Sequence, residues 1–80
     1  MGFERDINQA KLLLINMGLN EYQASALAHL ILLGETKATA LSKASGVPSA
    51  RIYEVLNELA KMGLITVRPG RPIRYKPMPP

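Results

Sequence analysis

The stretch Thr39-Ala40-Leu41-Ser42-Lys43-Ala44-Ser45-Gly46-Val47-Pro48-Ser49-Ala50-Arg51-Ile52-Tyr53-Glu54-Val55-Leu56-Asn57-Glu58-Leu59-Ala60-Lys61-Met62-Gly63 decides how this chain folds. Ile52, Val55, Leu56, Leu59 and Met62 recur at helical spacing and predict one buried stripe. Arg51, Glu54, Asn57, Glu58 and Lys61 are left on the outside. Ser49 is the expected N-cap of this helix, after the break at Gly46-Val47-Pro48, and Met62-Gly63 is its end. Upstream, Thr39 suits the N-cap of a short helix running through Ala44 or Ser45, with Leu41 and Ala44 facing inward. A short helix, a turn of three to four residues containing glycine, and a second helix have the spacing of a helix-turn-helix.

On the N-terminal side, the pattern predicts a first helix over Arg5–Asn16 that leaves through Met17-Gly18. Asn20 is the expected N-cap of a second helix, and Gln23, three residues on, can complete a capping box. This helix runs to Leu33 and stops at Gly34. Its stripe of Ala24, Leu27, Leu30 and Ile31 is joined by a second one of Tyr22, Ala26 and Leu33, which places it centrally in the fold. Glu35–Ala38 can hold at most one short extended stretch. Beyond Gly63 the apolar spacing becomes two, in Leu64-Ile65-Thr66-Val67 and in Ile73-Arg74-Tyr75-Lys76. Arg68-Pro69-Gly70-Arg71-Pro72 lies between, with Pro then Gly placed for a type II turn. In this reading Ile65, Val67, Ile73 and Tyr75 face the core, and Thr66, Arg74 and Lys76 face solvent. Two strands alone are marginal, so the hairpin must lie on the helices. Pro77, Pro79 and Pro80 end regular structure, as at the entry to a linker. The fold class is therefore mainly α with a small β-hairpin, a winged helix-turn-helix over residues 1–80, with the motif at about 39–63 and the wing at about 64–77.

Eighty residues allow one domain and one modest core. The absence of cysteine rules out a disulfide and fits a reducing, cytoplasmic setting. Met1–Asp6 is mixed in charge, and Leu12–Ile15 is too short for a signal core or a membrane span. The net charge of +4 is lopsided. Residues 1–33 carry a net −1, whereas residues 34–80 hold eight basic and three acidic side chains. From Leu59 onward there are five basic residues and no acid. A one-sided basic half is the footprint of a polyanion partner. Enzymatic chemistry is not expected. His29 is the single histidine and sits on an apolar helix face, and the scattered carboxylates assemble neither a metal set nor a catalytic triad. Gly70 is a turn glycine and not part of a phosphate-cradling loop. No cofactor and no metal are implied.

In a helix-turn-helix the second helix enters the major groove of duplex DNA, which is about 12 Å wide, and its N-terminal residues meet the base edges. Here that helix covers about 49–62, and its leading residues are Ser49, Ala50, Arg51, Tyr53 and Glu54. The N–H groups beside Ser49 can hold a phosphate, although Ser49 serves equally well as a structural cap. Arg51 can pair in bidentate fashion with guanine or bind a phosphate. Ala50 permits close approach or contact with a thymine methyl. The Tyr53 hydroxyl can reach a phosphate, or its ring can pack under the hairpin; both readings stay open. Glu54 is best placed to orient Arg51. Thr39 and Lys43 of the first helix, Asn57 of the second, and Arg68, Arg71 and Arg74 of the hairpin complete the candidate DNA contacts. The loop bearing Arg68 and Arg71 would lie on the minor groove or the backbone.

Three segments together resemble the TrmB-type transcriptional regulators, which are mostly archaeal and many of which respond to sugars. They are Gly18-Leu19-Asn20-Glu21-Tyr22-Gln23-Ala24, the run from Ser45 to Leu56, and Met62-Gly63-Leu64-Ile65 leading to Arg68-Pro69-Gly70-Arg71-Pro72. The resemblance covers about Leu13 to Pro77. It implies a DNA-binding domain that acts on operators, usually as a dimer, with Ser49, Arg51 and Tyr53 at the groove and Arg68 and Arg71 in the wing. Ala50 stands where members often carry a polar or basic residue. Typical members continue past the wing into a dimerisation helix and an effector-binding domain, so no small-molecule effector is expected within these 80 residues. Leu12–Ile15 and Leu30–Leu33 carry more apolar surface than a core of this size needs, which predicts a homodimer through the first two helices. A winged-helix docking module for other proteins is the competing reading, and a non-specific DNA-coating protein is a third. Basic charge on the second helix and the wing favours DNA.

Overall fold

Asn20 has an extended backbone, and its side chain accepts the Gln23 N–H at 2.8 Å while the Gln23 side chain accepts the Asn20 N–H at 3.0 Å. This capping box starts α2 (Glu21–Leu33), the helix around which the rest is built. The computed structural model describes residues 2–78, with side chains from Arg5 onward. The other elements are α1 (Gly2–Asn16), β1 (Thr36–Lys37), α3 (Ala38–Ser45), α4 (Ser49–Lys61), β2 (Ile65–Arg68) and β3 (Arg74–Pro77). The three strands form one antiparallel sheet in the order β1-β3-β2. The extended stretch expected after Gly34 is thus the third strand that a bare hairpin lacks. This is a winged helix. Pro79 and Pro80 lie outside the described residues.

The core joins Ala24, Leu27 and Leu30 of α2, Ala38 and Leu41 of α3, and Ile52, Val55, Leu56 and Leu59 of α4 to Ile65 and Tyr75 of the sheet. Val47, between α3 and α4, is also fully buried. Serines tie that turn down. The Ser42 hydroxyl donates to the Val47 carbonyl at 2.6 Å, the Ser45 hydroxyl to the Leu41 carbonyl at 2.7 Å, and the buried Ser25 hydroxyl of α2 to the Ser45 carbonyl at 2.8 Å. Gly46 takes a left-handed conformation, φ +77°, which closes α3 and which a side chain would oppose.

Several expectations are corrected. α1 begins at Gly2, before Arg5. Neither Thr39 nor Ser49 is an N-cap; both lie inside their helices, and the cap positions are Lys37 and Pro48, without side-chain caps. Lys37 is held extended by its pairing with Arg74, so α3 starts directly after β1. The ring of Pro48 sets its φ at −56°, and its carbonyl accepts the N–H groups of Arg51 and Ile52. Ala44 is exposed, because the inward face of α3 is set by Ala38 and Leu41. Tyr22, Ile31, Leu33 and Met62 are likewise exposed. The strands start one residue later than expected, and Val67 and Ile73 are each 46% exposed. These two flank the connecting loop, beyond the inner sheet positions Ile65 and Tyr75 that the helices cover. Among the described residues no type II turn hydrogen bond closes Pro69-Gly70. A five-residue loop, 69–73, joins the strands, with Gly70 at φ +153°.

Candidate nucleic-acid interface

α4 buries Ile52, Val55, Leu56 and Leu59, and helical geometry then turns Ala50, Tyr53, Glu54 and Asn57 outward together. All of the sequence-derived candidates are exposed: Thr39 and Lys43 on α3, Ser49, Ala50, Arg51, Tyr53, Glu54 and Asn57 on α4, and Arg68, Arg71 and Arg74 on the wing. The three elements do not stand apart. A cleft of about 260 Å³ is lined by Lys37, Ala38 and Thr39 at the start of α3, by Tyr53 of α4, and by Pro72 and Ile73 of the wing loop. Tyr53 is more than half exposed and at the same time borders the hairpin.

Arg51 belongs to a different surface. Its guanidinium donates to a Glu54 carboxylate oxygen at 3.3 Å and lies 5.9 Å from the centroid of the Tyr22 ring. These residues share a second cleft, about 390 Å³, with Asn20, Glu21, Val55 and Glu58. Gln23 of α2 donates to Glu58 at 3.0 Å and braces α4 from the same side. On the wing, Arg68 donates to Glu35 at 3.0 Å. Burial pushes the Tyr75 hydroxyl above its usual value near 10, and the nearby Tyr53 adds a smaller push in the same direction.

Tyr22, Glu35, Lys37 and Ile73 are not among the sequence-derived site residues. Tyr22 and Ile73 read as structural from their spacing, and Glu35 and Lys37 gain partners only through contacts distant in sequence. Among the described residues no group of three histidines, aspartates or glutamates could hold a metal ion. No described helix is long and apolar enough to cross a membrane.

A family model described as sugar-specific transcriptional regulator TrmB matches residues 13–80. The chain is 43% identical over 63 residues to the HTH-type sugar sensing transcriptional regulator TrmBL1 of Pyrococcus furiosus, a match covering 79% of this chain and 18% of that protein. It is 41% identical over 69 residues to the uncharacterized protein YrhO of Bacillus subtilis, covering 84% and 24%. A solved structure of TrmBL2, described as an archaeal chromatin protein with a novel mode of DNA binding, superposes with a TM-score of 0.79 at 34% identity. That superposition covers 96% of this chain and 29% of the other. The chain thus spans about a quarter or less of the curated relatives it matches. Matched by the family model along residues 13–80, this chain belongs to the TrmB family of transcriptional regulators.

Proposed function

We propose that this chain is a duplex-DNA-binding unit of a transcriptional regulator, with α4 in the major groove and the wing loop on the minor groove or backbone. One observation carries the reading: the exposed face of α4, the start of α3 and the wing loop border a single cleft, which gives them one continuous surface. Major-groove entry needs such an arrangement, a helix flanked by backbone contacts. On this reading Arg51 and Ala50 meet base edges, Tyr53, Thr39, Lys43 and Asn57 meet backbone or adjoining bases, and Ser49 presents the first N–H groups of α4 to a phosphate. Glu54 orients Arg51. Arg68, Arg71 and Arg74 neutralise phosphates. The unit performs no catalysis and works in the cytoplasm. Two copies associate through α1 and α2.

The test is a fluorescence-anisotropy titration against random-sequence duplex at several salt concentrations. Affinity that falls steeply with salt is the expected result, because neutralised phosphates release counterions. No binding even at low salt would overturn the reading and leave protein docking as the role of this surface.

A further inference from the structure

We propose that the outer face of the β-sheet is a second backbone-binding surface, on which Lys37, Arg74 and Arg68 act as one row. The proposal rests on the duplex-DNA reading and extends it to a face that the helix-turn-helix does not use.

Strand register sets the row. Lys37 of β1 is the direct partner of Arg74 on β3, and Arg74 is also the direct partner of Arg68 on β2. Directly paired residues share a face of the sheet. Tyr75, one residue on, is 5% exposed and points into the core, so the row lies on the opposite face. All three cations are exposed. The next outward pair on that face is Thr66 and Lys76, which adds a fourth cation. Like charges directly opposite one another destabilise a sheet. Here they occur side by side across three strands, and nothing in the packing calls for them.

The dimensions fit a polyphosphate strand. Neighbouring strands lie about 4.8 Å apart, so the row spans about 10 Å. Each DNA strand carries one phosphate per about 3.4 Å of axial rise, so the row matches about three phosphates. Among the described residues, Glu35 is the acid that touches the row. Its side chain is 30% exposed, and it holds Arg68 at 3.0 Å, a bond that a phosphate must replace. Glu35 is thus a positioning residue that keeps Arg68 in the row and competes for it.

The test compares the chain with its Lys37→Gln/Arg74→Gln double variant, by salt-dependent anisotropy on random-sequence duplex and by thermal unfolding. The expected change is a salt slope lower by about two, at about 0.9 for each phosphate left without its cation. Discrimination between duplexes should be unchanged, and the unfolding midpoint equal or higher. Glu35→Gln should tighten binding to all duplexes and steepen the slope. Tight binding by the unaltered chain with the same slope in the double variant overturns the row and leaves the DNA reading standing. No duplex binding by the unaltered chain sinks both.

Discussion

At the scale of single residues, the question at Arg51 is what it must give up to read a base. Its pair with Glu54 is exposed on both sides, and such pairs contribute about 0–1 kcal/mol. Its contact with the Tyr22 ring adds about 0.5–1 kcal/mol at an exposed site. A bidentate contact to guanine discriminates by about 1–3 kcal/mol, enough to draw the side chain out of this cradle. Arg51→Ala is therefore expected to relax base preference at one operator position by about 1–3 kcal/mol, measured by competition with single-base variants. Its unfolding free energy should stay within about 0.5 kcal/mol. A uniform loss across all sequences would make Arg51 a backbone contact instead. Tyr75 governs the alkaline limit. The folded state holds its proton more tightly than the unfolded state, so this contribution to stability is intact below the usual value near 10 and is lost as pH rises past it. Tyr75→Phe is expected to flatten the decline of the thermal midpoint above pH 10; an unchanged decline would remove Tyr75 as its cause.

At the scale of elements, the helix-turn-helix stands on very few side chains. Leu41 is the single large buried residue of α3 and is fully enclosed. Leu41→Ala should cost about 2–5 kcal/mol. A core of this size contributes only about 3–5 kcal/mol net, so the expected outcome is loss of a cooperative unfolding transition. Asn20→Ala removes one side of the capping box and should cost about 1 kcal/mol, readable as a lower denaturation midpoint with the helices retained. The wing behaves differently, because its loop side chains are exposed and support no packing. Neutralising Arg68 and Arg71 together should weaken binding to every duplex alike and lower the salt slope by about 0.9 for each phosphate they no longer neutralise. A change in sequence preference instead would give the wing a role in reading bases.

At the scale of the whole molecule, the distribution of apolar surface is uneven. No described residue of α1 is fully buried, and Leu12 and Leu13 are each more than half exposed. Ile31, Leu32 and Leu33 at the end of α2 are also exposed. Apolar side chains concentrated on two adjacent helices are what a two-fold seam requires. Such a seam would set two recognition helices about 34 Å apart, one helical turn of DNA. Sedimentation at micromolar concentration is expected to show a dimer, and Leu13→Glu to convert it to monomer with helix content intact. A monomer in the unsubstituted chain would remove the seam.

Local sequence dictates the helices, their order, the three-residue turn between α3 and α4, and the exposure of the candidate contacts. Each of these follows from near neighbours: the spacing of apolar residues, glycine at helix ends and the Asn20–Gln23 box. Cap positions are less legible. Whether Thr39 caps α3 depends on β1 pairing with β3, and Pro48 preempts Ser49 through its own backbone. Folding in three dimensions is what leaves Val67 and Ile73 exposed, rests Arg51 against Tyr22, brings Arg68 to Glu35, and sets Lys37, Arg74 and Arg68 in one row. The partners in these last contacts are separated by 29 to 37 positions in the chain, except for the hairpin pair. Strand register and helix packing bring them together, and neither is written in the spacing of residues along one element.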